Sequence, residues 1–361
     1  MQRNDSDASD KPGSSSDTEG KALISVVVPA YNAQDTIADT LRSIQAQTHT
    51  AIEVLVVDDG SRDGTAAVVE EFAKADPRFR LVRQDNAGVA AARNTGWKQA
   101  RSDLIAFVDA DDLWTRDKLE RQLAALEAAG PKAGLVYSRY LLIDENNTIT
   151  FHVFSPPYSG DVLDKLITSN FVGNGSSALV RREALEVADG FESALHRAGA
   201  QGCEDILFYC RVAEHYEFAV VEDFQIGYRQ LDHAMSANLP RMLRSWIMVN
   251  DEMREKHPDR AEAVRKGLIT FGNWTIRRAM NLRQFADGLR LVKIAATRSP
   301  LLAAGMLLYT APSALIESYW WKLRFAHWLS RKSNGRTRPP RGPVMPRGNA
   351  DSFPVGSTFK G

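Results

Sequence analysis

Cysteine is nearly absent from this sequence: Cys203 and Cys210 are the only two in 361 residues. If their segment is helical, seven steps of about 1.5 Å set them roughly 10 Å apart, beyond disulfide reach, so no oxidised framework is expected. The seven histidines are scattered and share no short ligand spacing with the cysteines. A structural zinc site therefore has no support, and any metal should be held by oxygen. An excess of either charge is missing too. Lys and Arg number 45, as do Asp and Glu, so no global attraction to a polyanion follows and nucleic acid is not an expected partner. Residues 1–20 contain no apolar run and are rich in Ser, Asp and Gly; a disordered leader without signal peptide or membrane span is expected there. The remainder, in a chain 44% apolar and 25% charged, has a globular balance.

What is present is an alternation of strands and helices. Leu23 to Val28 is an apolar run, interrupted only by Ser25 and closed by Pro29, the pattern of a parallel strand buried on both faces. Ile37, Leu41 and Ile44 recur at helical spacing. A second buried strand over 52–57 ends in Asp58-Asp59-Gly60-Ser61, and a helix over 66–75 stops before Pro77. A short strand at Leu81-Val82, a helix over 88–100 and a buried strand over 104–108 follow. The order predicts an α/β fold, with a mostly parallel central sheet and helices on both faces. Ligands of such sheets bind beyond the carboxyl ends of the strands. Two of those ends are acidic: Asp58-Asp59, and Asp109-Ala110-Asp111-Asp112.

After a helix over 116–129 the pattern changes. Leu135, Tyr137 and Ile143, a turn at 145–147, then Ile149, Phe151 and Val153 predict an antiparallel hairpin added to the sheet. A strand near 176–181, a helix over 204–214 and strands near 218–221 and 225–229 follow. From 236 to about 330, apolar residues recur at helical intervals. The expected division is a leader at 1–20, an α/β domain at 21–235, a helical C-terminal extension at 236–330 and a disordered basic tail at 331–361.

Two carboxylates at one strand end raise each other's pKa unless a cation lies between them. Asp109 and Asp111 can meet that need by sharing Mg²⁺ or Mn²⁺, whose other positions suit diphosphate oxygens. Alone, the same Asp-x-Asp is also a capping turn in which Asp112 or Thr115 satisfies the amides of the next helix. More is carried by the motifs in order: 26–32 (Val-Val-Val-Pro-Ala-Tyr-Asn), 56–61 with Asp63-Gly64-Thr65, Asn86-Ala87-Gly88-Val89 with Ala92-Arg93-Asn94, and 107–112. Together they closely resemble the family 2 glycosyltransferases, inverting enzymes of the GT-A fold that use nucleotide-sugar donors. The resemblance covers roughly residues 22–232.

That resemblance implies a donor site made by Pro29, Tyr31, Asp59, Arg93, Asp109 and Arg229. Tyr31 would line the base pocket and Asp59 accept from a uracil-type N–H. Guanine would suit the same carboxylate, so a UDP-sugar is favoured only by family habit. Asp109 is then the ribose-side acid and Asp111 the metal ligand. Asp58 would orient the turn through backbone amides. Arg93 is alternatively a surface ion pair, and Arg229, which by resemblance closes over the diphosphate near His233 and Ser236, is alternatively a solvated strand-end arginine.

The family's catalytic base lies in a Glu-Asp pair opening a helix, and Gly202-Cys203-Glu204-Asp205-Ile206 matches it. Asp205 is the expected base, taking the acceptor hydroxyl's proton as it attacks the anomeric carbon; the alternative is that Glu204 and Asp205 only favour a helix N-terminus. Residues 174–177 (Asn-Gly-Ser-Ser) fall where the family places a loop beside the sugar or acceptor, or form an ordinary turn. The Gln-x-x-Arg-Trp signature of processive members is missing, as are paired membrane spans, which favours single-sugar transfer.

The function expected is metal-dependent inverting transfer to an acceptor hydroxyl. A lipid-linked glycan of envelope or exopolysaccharide synthesis is the acceptor in view, with the enzyme cytoplasmic and peripheral on the inner membrane. A nucleotidyltransferase is the first alternative, although its glycine-rich, lysine-bearing loop is replaced here by 29–32. A non-catalytic nucleotide-sugar binding protein is the second. Over 301–361, nine Lys and Arg face Glu317 and Asp351. Leu301 to Ile316 is apolar but short for a span. Trp321, Phe325 and Trp328 share a helical face edged by Lys322, Arg324 and Arg331. Such a stripe either lies on an anionic membrane or packs on the catalytic domain.

Overall fold

The computed structural model describes residues 21–231, 235–319 and 355–359. The expectations for the leader, for His233 and for the Trp321, Phe325 and Trp328 stripe lie outside these residues.

The first third folds as its apolar periods dictate: β1 (Ile24–Ala30), α1 (Ile37–Gln45), β2 (Ile52–Asp58), α2 (Thr65–Ala75), β3 (Phe79–Arg83), α3 (Val89–Gln99) and β4 (Leu104–Phe107). Every residue of β1 and β2 is buried. The two-residue period splits them between two cores. Val27, Leu55, Val57 and Phe107 face one helix layer, whereas Val26, Val28, Val54 and Val56 face the other. β5 (Leu113–Trp114), α4 (Lys118–Ala129), β6 (Ala133–Ile143), β7 (Ile149–His152), α5 (Leu163–Thr168), β8 (Ala178–Arg181), α6 (Arg182–Val187), α7 (Ala194–Arg197), α8 (Glu204–Ala213) and β9 (Glu217–Arg229) complete the domain.

The nine strands form one sheet in the order β3-β2-β1-β4-β8-β6-β9-β5, with β7 added alongside β6. β3, β2, β1 and β4 are parallel. β8 runs against both β4 and β6, and β6 runs parallel to β9. The predicted β6–β7 hairpin is present.

Two expectations are corrected. The two strands predicted near 218–221 and 225–229 are one, because the register shift opposite Arg139 lets the charged Glu222-Asp223 pair be absorbed as an irregularity within β9. The tail expected to be disordered throughout 331–361 has structure at 355–359: Gly356 N donates to Ile149 O and Ile149 N to Ser357 O, at 2.7 and 2.8 Å. Phe359 fills an apolar cluster with Leu141, Ile143 and Phe224, and that burial outweighs the polar composition.

The extension comprises α9 (Leu239–Lys256), α10 (Ala261–Asn281), α11 (Phe285–Arg298) and α12 (Pro300–Gly305). α12 continues through a π-helical turn at Met306–Thr310, so the whole helix runs Pro300–Tyr319. These helices share a core of their own. However, Trp246 and Val249 of α9 belong to the core of the α/β domain. α10 also sits directly on α5, and a Cβ at Gly267 would come 2.0 Å from the Ile167 carbonyl oxygen. Backbone cannot yield as a side chain end can. Gly267→Ala should therefore lower stability by about 1–3 kcal/mol, read as a lower urea midpoint at unchanged slope.

Candidate active site

The carboxyl ends of β1, β2 and β4 open on one crevice of ≈ 980 Å³. Its opposite wall is the 168–175 loop, the start of α8, and the inner faces of α9 and α10. The donor, metal and base candidates from sequence all line it: Pro29, Tyr31, Asp59, Arg93, Asp109, Asp111, Asp205 and Arg229. Residues 1.5 hundred or more apart in sequence thus share one cavity, as parallel-sheet topology requires.

At the β2 end, Asp58 Oδ1 accepts the Ser61 amide at 3.0 Å, the turn-orienting role expected. Asp59 is buried and binds the 84–88 segment. Its Oδ1 accepts from Gln84 Nε2 at 2.6 Å and the Ala87 amide at 2.9 Å, and its Oδ2 from the Gly88 amide at 2.8 Å. One acceptor direction on Oδ2 is left for a ligand donor. Tyr31 is half exposed at the mouth.

Arg93 is not on the surface. It is 4% exposed, and its Nη2 donates to Asp109 Oδ1 at 2.5 Å. The surface ion-pair alternative is thereby overturned: α3 turns this residue inward, where burial is the largest single influence and opposes the charge, but the charge and hydrogen bond of Asp109 together with the Asp205 charge outweigh it and hold the guanidinium protonated. Gly175 admits it, since a Cβ there would lie 2.1 Å from Arg93 Nη2. The solvated reading of Arg229 fails likewise. It is 2% exposed; its Nε donates to the Asp111 carbonyl at 2.7 Å, and its Nη1 to the Asp144 and Glu145 carbonyls at 3.0 and 3.1 Å. Nη2 has no hydrogen-bond partner among the described residues.

Asp112 does not cap the next helix. It is fully buried, accepts the Arg229 amide at 2.9 Å and takes the Ser176 hydroxyl, thereby tying β9 and the 174–177 loop to the acidic turn. Burial pushes its carboxyl well up, and the neighbouring acids add to this. Asp111 is pushed up to about 7, by burial first and then by Asp109. Two acids that disfavour each other's ionisation form a site a cation would relieve. Among the described residues no three His, Cys, Asp or Glu side chains converge as a metal-binding group. Asp109 and Asp111 could hold an ion of the Mg²⁺ or Mn²⁺ kind only with substrate oxygens completing its shell.

Across the crevice, Asp205 stands in the first turn of α8. Its Oδ1 accepts the Ile206 amide at 2.8 Å and its Oδ2 accepts Asn170 Nδ2 at 3.2 Å. Burial raises its pKa, Arg93 opposes the rise, and Asp109 adds to it. Glu204 is buried, bonded through Oε2 to the Gly202 amide at 2.7 Å.

Sequence reasoning missed Asn170, whose orientation is fixed by the Gly173 amide at 2.8 Å. It also missed Trp246, Phe271 and Trp274 on the far wall, where Trp246 and Phe271 stack at 4.4 Å. Nothing local distinguishes these aromatics from the core stripe of a helix. Residues 174–177 do lie beside the acids: Asn174 Oδ1 accepts from Ser176 N and Ser177 Oγ, and Ser176 Oγ accepts the Asp109 amide at 2.9 Å.

Residues 25–188 match Glycosyl transferase family 2. Over 107 residues the chain is 44% identical to the putative teichuronic acid biosynthesis glycosyltransferase TuaG of Bacillus subtilis, covering 29% of this chain and 42% of that one. Over 128 residues it is 38% identical to the UDP-Glc:alpha-D-GlcNAc-diphosphoundecaprenol beta-1,3-glucosyltransferase WfgD of Escherichia coli, covering 35% and 49%. The chain thus spans less than half the length of these relatives. Among solved structures it resembles Staphylococcus aureus TarS 1–349 in complex with UDP-GlcNAc, with TM-score 0.58 and 18% identity over 82% of this chain and 89% of that one. It also resembles the mannosyltransferase PcManGT of Pyrobaculum calidifontis in complex with GDP-Man and Mn²⁺, with TM-score 0.53 and 21% identity over 86% of each. At these identities the likeness is one of fold, the GT-A arrangement.

Proposed function

With residues 25–188 belonging to glycosyltransferase family 2, we propose that this chain is a metal-dependent, inverting enzyme. It moves one sugar from a nucleoside-diphosphate sugar, a UDP-sugar by preference, to an acceptor hydroxyl. The acceptor is a lipid-linked glycan of envelope or exopolysaccharide synthesis, met at the cytoplasmic face of the inner membrane. Residues 21–235 are the catalytic domain, and the following helices wall the acceptor side. The observation that carries this reading is Arg93, buried, paired with Asp109 and near enough to Asp205 to oppose its raised pKa. It joins the strand-end acids and the base into one electrostatic unit.

In this reading Pro29 and Tyr31 flank the nucleoside base, and the free acceptor direction of Asp59 receives its ring N–H. Asp109 and Asp111 hold Mg²⁺ or Mn²⁺, which when bound stabilises charge on the departing diphosphate. Arg229 Nη2, unpartnered among the described residues, gives a charge-assisted bond to a diphosphate oxygen. Asp205 takes the acceptor proton. Each of its oxygens carries one bond from the chain, so each keeps a lone pair, and the raised pKa makes it a stronger base.

A panel of nucleotide sugars tests the reading through thermal stabilisation and metal-dependent hydrolysis. Selective stabilisation by uridine diphosphate with Mn²⁺ supports it, and indifference to every nucleotide would refute it. The Asn170 bond stabilises the ionised form of Asp205 and so lowers its pKa. Asn170→Ala should raise that pKa further, and the ionised base is lost as pH falls through it. The acid limb of kcat/KM should therefore move to higher pH, as a pH–rate profile would record. A uniform loss of rate with the limb unmoved would make Asn170 merely structural.

A further inference from the structure

The Pro300–Tyr319 helix is apolar on its outward side as well as its inward one. Its inward stripe is Leu302, Ala303, Met306, Thr310 and Ala314, all buried. Its polar residues also sit on the protein side or find partners there: Thr310 Oγ1 donates to Asn273 Oδ1 at 2.8 Å, Ser313 Oγ to the Thr310 carbonyl at 3.0 Å, and Glu317 pairs with Arg277. The outward side carries Leu301, Leu308, Tyr309, Ile316 and Tyr319, with exposures of 85, 76, 76, 57 and 64%. At about 100° per residue these fall on one side of the helix with Ala304, Gly305, Pro312 and Leu315, and no charged residue interrupts them. A surface helix in water turns a polar face outward. An apolar face of this kind marks an interaction site.

We infer that this face docks the protein on an anionic phospholipid bilayer, with the helix lying in the headgroup region. Two observations select that occupant. First, the helix packs one side, the stripe of Leu302, Met306 and Ala314, into the core of the neighbouring helices, so its outward side alone is offered to a surface. Its 20 residues are also long and apolar enough to cross a membrane, and the proposal is that it lies flat. Second, the charge is complementary. Residues 320–354, which follow directly in sequence, contain eight Lys and Arg against one Asp. In addition, a cavity of ≈ 430 Å³ adjoins Leu301 and Tyr309, with Val264 and Leu268 among its apolar lining and Arg254, Arg265 and Arg298 among its charged lining. Asp251 there pairs with both Arg254 and Arg298, leaving one positive charge from the three. Arg265 pairs with Glu262 at 2.7 Å. Apolar insertion beside basic groups is how an interfacial helix holds anionic lipid. The proposal goes beyond the transfer reaction but rests on it for its purpose, which is to bring the crevice to a lipid-linked acceptor.

The test uses the full chain and vesicles of equal parts phosphatidylcholine and phosphatidylglycerol, compared with phosphatidylcholine alone. Leu308→Glu with Tyr309→Glu places two charges where both side chains are three-quarters exposed, so folding should survive. Circular dichroism and thermal melting check that. Should this pair misfold, Leu301→Ser, at the most exposed site, makes the comparison instead. Wild type should co-sediment with the anionic vesicles at low salt, and the double variant should bind them about tenfold more weakly or worse. Equal binding by variant and wild type, or equal binding to neutral vesicles, would overturn the proposal. So would a dimer in light scattering that the variant dissolves, since a second copy would then be the occupant. Donor hydrolysis in solution, followed alongside, reports only on the proposed function, because no residue of this helix lines the crevice. Loss of docking and loss of the transferase reading are thus told apart.

Discussion

Asp205→Asn should lower sugar transfer by about 10²- to 10⁴-fold, the usual worth of a positioned general base, while leaving donor affinity nearly unchanged. The amide keeps the shape of the carboxylate and can still accept from the Ile206 amide, the Oδ1 contact at 2.8 Å. What it loses is proton affinity and the acceptor that Asn170 Nδ2 meets at 3.2 Å. Stability should change little, because relief of the burial penalty on the ionised carboxylate offsets that lost bond. For an acid with a raised folded pKa, that penalty acts at pH values above the raised pKa and disappears as pH falls below the unfolded value. The decisive comparison is transfer to a true acceptor beside nucleotide binding by calorimetry. Wild-type turnover in the variant would remove Asp205 from the role and return it to the helix N-terminus.

Asp111→Ala should abolish the metal-dependent part of donor binding and with it turnover. The fold should survive, since the substitution relieves repulsion with Asp109 and the side chain supports no other element. Its carbonyl, which receives Arg229 Nε at 2.7 Å, is retained by alanine. Calorimetric titration with uridine diphosphate, with and without Mn²⁺, reads the effect: wild type should show a gain from the ion and the variant none. An unchanged affinity in Mn²⁺ would strip Asp111 of the ligand assignment. Asp112→Ala is expected to behave differently, because Asp112 supports both Arg229 and Ser176. It should cost stability as well as binding.

The sequence by itself determined the strands, their αβ order and the acids at their carboxyl ends. These are local properties. An unbroken Val/Ile run is buried on both faces wherever it sits, and a turn that follows it opens at the sheet's edge. The family motifs lie within those turns, so the site residues were legible with the strands. Tertiary structure alone decided what those residues touch. Arg93 reads as an ordinary helical arginine until α3 packs and sets it against Asp109, 16 positions away. Arg229 reads as a strand end until the hairpin supplies carbonyls 84 and 85 positions earlier in the chain. Asn170 has no signature because its meaning is Asp205, 35 positions on. The same holds for the Pro300–Tyr319 helix. Its period announces two unlike sides, but period says nothing about which side faces the protein. That is settled by the neighbouring helices, which receive the stripe of Met306, Thr310 and Ala314 and leave the leucines and tyrosines outward.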